Sequence, residues 1–139
     1  MALSTRSTSI VPLIGRILIA IFFIPQGLGK IAGFSGTVAY VTSAGLPLPA
    51  VGVAIAIFVE VVVAAALLVG WQARWAALIM ALFSIAAALV FHQFWASPPD
   101  QQMMQNIQFF KNMAIAGGLL FVFAFGPGAF SLDERGGRY

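Results

Sequence analysis

Long apolar stretches, separated by short polar ones, set the pattern of this chain. A helix crosses a bilayer with about 20 apolar residues at about 1.5 Å of rise each. Four runs meet that requirement, over residues 10–29, 50–69, 75–95 and 105–125. Their punctuation agrees. Pro12 suits a first helical turn, where its missing N–H has no partner to lose, and Gly70 closes the second run. Pro98-Pro99-Asp100 breaks the chain between the third and fourth runs, and Gly126-Pro127 stops the fourth.

Residues 34–49 have a different pattern. Ser35 is placed to cap a short helix reaching Ala44, with Gly45 as its terminator and Leu46-Pro47-Leu48-Pro49 leading on. Val38 and Val41 share a face and Tyr40 is an interfacial anchor, so this helix is expected to lie at the membrane surface. The expected fold class is an all-α membrane protein, a four-transmembrane-helix bundle in one domain spanning 1–139, with a short interfacial helix between helices 1 and 2. The first run is too long for a signal-peptide core and lacks a small-x-small cleavage pattern near Lys30, so it is read as a permanent helix.

Composition supports lipid as the solvent. Of 139 residues, 61% are hydrophobic and 8% charged, against about 25% charged in a soluble domain. The net charge of +3 comes from scattered basic residues rather than a polybasic patch, so a nucleic-acid partner is not expected. Absence of cysteine excludes disulfides, thiolate metal sites and iron–sulfur clusters, and the single histidine excludes bis-histidine haem ligation within the chain.

Charge does set orientation. Four crossings put both ends and the loop between the second and third spans on one side, with Arg6, Arg74, Arg135 and Arg138; Lys30 and Asp100 fall on the other. The bias predicts that both termini are cytoplasmic. Trp71 and Trp75 at one boundary and Trp95 at the other complete an aromatic belt.

Ionisable groups inside the spans are the candidate chemistry, because a charge at mid-bilayer costs about 2.5–3.5 kcal/mol on insertion scales and is normally paired or faces water. Counting residues places Glu60 about 15 Å deep, Arg16 about 9 Å from the inner end and His92 about 5 Å below the outer surface. Arg16 is therefore expected to reach Glu60, and Lys111 lies at a depth from which it can do the same. Arg16 and Lys30 share a face of the first span with Phe23 between them, and Gln26 lies one turn before Lys30. Gly52, Ala56 and Ala64 form a small-residue stripe about Glu60, and Gly117-Gly118 is a second place for close approach. Gln26, Lys30, Glu60, His92, Gln93, Lys111 and Asn112 are thus expected to outline a polar cavity in the outer half of the bundle, with Arg16 below it.

Blander readings stand beside these. An Arg16–Glu60 pair also serves to fix helix register. His92 suits an interfacial hydrogen-bonder, Lys30 is placed to snorkel to the headgroups, and the phenylalanines suit lipid contact or packing. Glu60 and His92 are too few ligands for a metal site and differ in depth. No nucleophile–base pair or nucleotide motif is present.

The order of these residues resembles the DoxX family of small membrane proteins along nearly the whole chain. The resemblance runs from Gly15-Arg16-Ile17-Leu18 through Gly27-Leu28-Gly29-Lys30-Ile31-Ala32-Gly33-Phe34 to Ala44-Gly45-Leu46-Pro47. It continues through Glu60, Leu67-Leu68-Val69-Gly70, Phe91-His92, Lys111-Asn112, Gly126-Pro127-Gly128 and Ser131-Leu132-Asp133. The resemblance implies a four-helix bacterial inner-membrane protein tied to redox metabolism, because the family is named for a subunit associated with a terminal quinol oxidase, and DoxD-type relatives are linked to quinone-coupled thiosulfate oxidation. Arg16, Lys30, Glu60 and His92 fall on the family pattern without assigned roles. The implied function is a quinone-associated component of a membrane oxidoreductase system, binding quinone or quinol without a covalent cofactor and docking a soluble or membrane redox partner. Residue chemistry alone fits equally a small-molecule binder or transporter acting as a homodimer, with Arg16 and Lys111 as anion partners and Glu60 as a proton-coupled switch. A ligand-free structural partner of a membrane complex is the third reading.

Overall fold

A computed structural model of the chain describes residues 10–136; the expectations placed on Arg6 and Arg138 lie outside them. The described residues form helices and no strand. Helix α1 is Ile10–Ala32, the short α2 is Phe34–Ser43, α3 is Pro49–Val69, α4 is Ala73–Phe91, α5 is Pro99–Phe125, and a single closing turn, α6, is Leu132–Arg135. A 3-10 turn at Phe94–Ala96 joins α4 to α5. Four of these elements, α1, α3, the α4 segment and α5, are long and apolar enough to span a membrane, with mean hydropathy of 1.9, 2.8, 2.1 and 1.5.

The packing is that of a protein dissolved in lipid. Large aliphatic and aromatic side chains such as Leu18, Ile21, Ile55, Leu82 and Phe121 are exposed, whereas Ala64, Ala73, Ala77, Ala81 and Ala88 are fully buried. Small residues at helix contacts let backbones approach, and dispersion and hydrogen bonds then replace the hydrophobic drive that lipid removes. Helix α3 packs along α1, α4 packs against α3, and α4 with α5 forms the most extensive pair. Phe23, Val63, Leu67, Met80 and Leu119 fill the shared core.

Boundaries moved where local geometry overrode the apolar count. α5 begins at Pro99 rather than residue 105, because Pro98 holds an extended backbone (ψ 151°) and Pro99 occupies the first turn. Its 27 residues measure about 40 Å, so its first turns extend beyond the apolar layer. α2 forms as expected, with Gly45 (φ 77°) just past its Ala44 C-cap, but Gly33, not Ser35, precedes it and no side chain caps it. Tyr40 stacks on Phe91 with ring centroids 5.5 Å apart, so it also ties α2 to the end of α4.

Candidate functional site

α1 and α3 run antiparallel and meet most closely at Gly27. A Cβ there would stand 2.6 Å from Val61 Cγ2 and 2.9 Å from Glu60 Cβ. This contact is where α3 leaves α-helical geometry: residues Phe58–Val63 form a π-helical segment. Such wide turns shift the following side chains around the axis and frequently mark functional positions. Glu60 is buried within it. One turn beyond Gly27, Lys30 reaches the carboxylate with Nζ 3.0 Å from Oε1 and 2.8 Å from Oε2. Lys30 is thus the counter-ion of Glu60, not a residue snorkelling to the headgroups.

Arg16 is not that counter-ion. Its fully buried guanidinium donates to the carbonyls of Leu67 (3.3 Å) and Leu68 (2.6 Å), and to that of Phe130. The last carbonyls of a helix have no partner within the helix and carry partial negative charge. Because α1 and α3 are antiparallel, the end of α3 lies nearer Arg16 than Glu60 does. The expected Arg16–Glu60 pair is therefore absent, and Arg16 lies outside the cavity.

Around Arg16 the C-terminal segment folds back over the α3–α4 turn. Asp133 accepts hydrogen bonds from the amides of Gln72 and Ala73, both 2.8 Å, capping α4, and its own amide donates to the Gly70 carbonyl at 2.9 Å. Gly70 is at φ 73°, and a Cβ there would lie 2.8 Å from Arg16 Nη1, so only glycine fits.

At the other end of the bundle lies a cavity of about 390 Å³. Gln26, Lys30, Glu60, His92, Lys111 and Asn112 all line it, as do Phe22, Phe23, Tyr40, Phe83 and Phe91. Gln93 does not; its amide returns to the Leu89 carbonyl at 3.0 Å. Phe22, Phe23, Phe83 and Phe91, expected to face lipid or to pack, are cavity walls, and so is Tyr40, expected as an interfacial anchor. Gln26 donates to the Phe22 carbonyl at 3.1 Å. His92 Nδ1 is 2.8 Å from Gln105 Oε1; that oxygen only accepts, so Nδ1 donates in this contact. Lys111 donates to Gln108 Oε1 and stands 5.0 Å over the Phe22 ring, bridging α5 to α1. The stripe expected around Glu60 is partly realised: Ala64 is buried, while Gly52 and Ala56 face the cavity. Gly117 and Gly118 meet nothing within 4 Å of an added Cβ and mark no close approach.

With this arrangement in place, residues 11–93, which carry the Gly27, Lys30 and Glu60 contact and His92, match the DoxX family. The chain belongs to the DoxX family. This DoxX chain is 37% identical over 123 residues to the inner membrane protein YphA of Escherichia coli K12, and 38% identical over 125 residues to YqjF, an inner membrane protein of the same organism. Each match covers 88% of both chains. A Surfeit locus protein 4 homolog of Schizosaccharomyces pombe is 31% identical over 78 residues, 55% of this chain and 26% of that one. No solved structure matches it.

Proposed function

We propose that this integral membrane protein resides in the bacterial inner membrane and binds a quinone or quinol in the α1–α5 cavity, as a component of a membrane oxidoreductase system. The observation that supports this reading is the composition of the cavity wall. Ring-bearing ligands are held by apolar and aromatic walls with a few polar groups that fix orientation, in clefts of about 300–1,000 Å³. Here Phe22, Phe23, Phe83 and Phe91 offer apolar wall for a flat ring, while the Lys30–Glu60 pair, His92, Lys111 and Asn112 offer polar groups for its oxygens. The inner-membrane location follows the names of YphA and YqjF. With no cysteine and a single histidine to ligate a redox metal, the chain would hold the quinone for a partner protein that transfers the electrons.

The test is thermal unfolding of the purified protein in nanodiscs with added menadione. Ligand at about 100 times its dissociation constant adds about 2.7 kcal/mol of stability, so a clear rise in Tm is expected. Ala87→Phe, which adds a ring to the cavity from α4, should abolish the rise. A Tm unmoved by menadione in the wild type, with no quinone copurifying from native membrane, would refute the proposal.

A further inference from the structure

The charges of the cavity do not balance. Lys30 and Glu60 neutralise each other, both carboxylate oxygens being held by the one ammonium. Lys111 has only the Gln108 amide oxygen and the Phe22 ring, and among the described residues no carboxylate lies within ion-pair distance of it. The other acids are elsewhere: Asp133 caps α4 at the far end, Glu134 lies beside it, and Asp100 is exposed in the first turn of α5. His92 adds no negative charge. Next to Lys111, Asn112 is only 8% exposed and lines the same cavity; its side-chain amide makes no hydrogen bond to any described residue, and its polar atoms are open to the cavity, not sealed off, since Arg16 Nε is the one fully buried unpartnered side-chain polar atom among the described residues.

A cation without a counter-ion is costly inside an apolar bundle, and an amide open to the cavity keeps its donor and acceptor free for a ligand. A negatively charged oxygen between them would satisfy both. We propose that Lys111 and Asn112 form a subsite for an anionic oxygen, and that the cavity takes an organic monoanion with a flat apolar body, such as a deprotonated hydroxyquinone or an aromatic carboxylate. The inference rests on the cavity being a ligand site, and it narrows the quinone reading to acidic members of that class. Glu60 does not oppose the anion, since Lys30 offsets its charge.

Three probes separate the two ideas by calorimetry on the nanodisc-embedded protein: neutral menadione, lawsone (a hydroxynaphthoquinone that is an anion at neutral pH) and naphthoate. Lawsone should bind about ten- to a hundredfold more tightly than menadione, the range of a charged hydrogen-bonded contact. Lys111→Met should erase that advantage, Lys111→Arg should keep most of it, and Asn112→Leu should reduce lawsone affinity with Lys111 intact. Lys111→Met should also melt no lower than the wild type, whereas a merely structural lysine would be missed. Equal affinity for lawsone and menadione, or an advantage that survives Lys111→Met, overturns the anion subsite and leaves the quinone reading standing. Binding of naphthoate with none of menadione does the reverse. If none of the three binds, both readings fall.

Discussion

At the scale of single residues, burial of charge decides most of what can be tested. Glu60 has 7% of its side chain exposed and Lys30 26%, so the pair is sheltered without being sealed. Breaking a buried pair from one side leaves the other charge uncompensated and costs about 3–5 kcal/mol; partial exposure of Lys30 puts this case near the lower end. Glu60→Gln and Lys30→Met should each lower the unfolding free energy by about 3 kcal/mol, while the double variant should lose much less than the sum. A thermal-unfolding cycle in detergent measures this, and additive losses would show that the two side chains act independently. The sequence revealed which residues were charged and roughly how deep they lay. It did not reveal who pairs with whom, because depth counts assume that side chains reach toward mid-membrane. Arg16 instead reached the carbonyls at the nearer end of α3, and so left Glu60 to Lys30. Backbone acceptors carry no residue-type signal, which is why the Arg16 contacts were not legible.

At the scale of elements, the spans were legible because apolar runs and Pro/Gly punctuation are local properties. The π-helical turn at Phe58–Val63 was not, since nothing in Phe-Val-Glu-Val-Val-Val distinguishes it from ordinary helix. It coincides with a tertiary contact. Gly27 presses α1 against Glu60 and Val61, and the quoted motif Gly27-Leu28-Gly29-Lys30 carries that contact one turn before the counter-ion. The signal that could have found it is the spacing of Gly27 and Lys30 on one side of α1, close contact followed by charge. Gly27→Ala should therefore act on both. The added methyl, 2.6 Å from Val61 Cγ2, forces the helices apart, and such overpacking costs about 1–3 kcal/mol. It should also lengthen the Lys30–Glu60 contact, so that a subsequent Glu60→Gln costs less than it does in the wild type. Equal cost of Glu60→Gln in both backgrounds would show that Gly27 does not position the pair.

At the scale of the molecule, the two ends of the bundle have different roles. One end is fastened by Arg16, Asp133 and the folded-back C-terminal segment; the other holds the cavity beneath α2. The positive-inside bias counts basic residues free to sit in loops. Lys30 is taken out of that count by Glu60, and Lys111 lies within its span, so the cavity end has no free basic loop residue among the described ones. The fastened end carries Arg74, whose guanidinium donates to the Phe123 and Ala124 carbonyls, and Arg135 in the closing turn. From the positive-inside bias we propose that the fastened end is cytoplasmic and the cavity opens toward the periplasmic half. Because the chain has no cysteine, one introduced thiol reports its own side. Asp100→Cys, in the first turn of α5, should react with a membrane-impermeant maleimide on intact spheroplasts. Gly136→Cys, just past α6, should react only after permeabilisation. The opposite pattern would invert the protein in the membrane and place the cavity in the cytoplasmic half, so that any quinone held there would meet its partner protein from the other face.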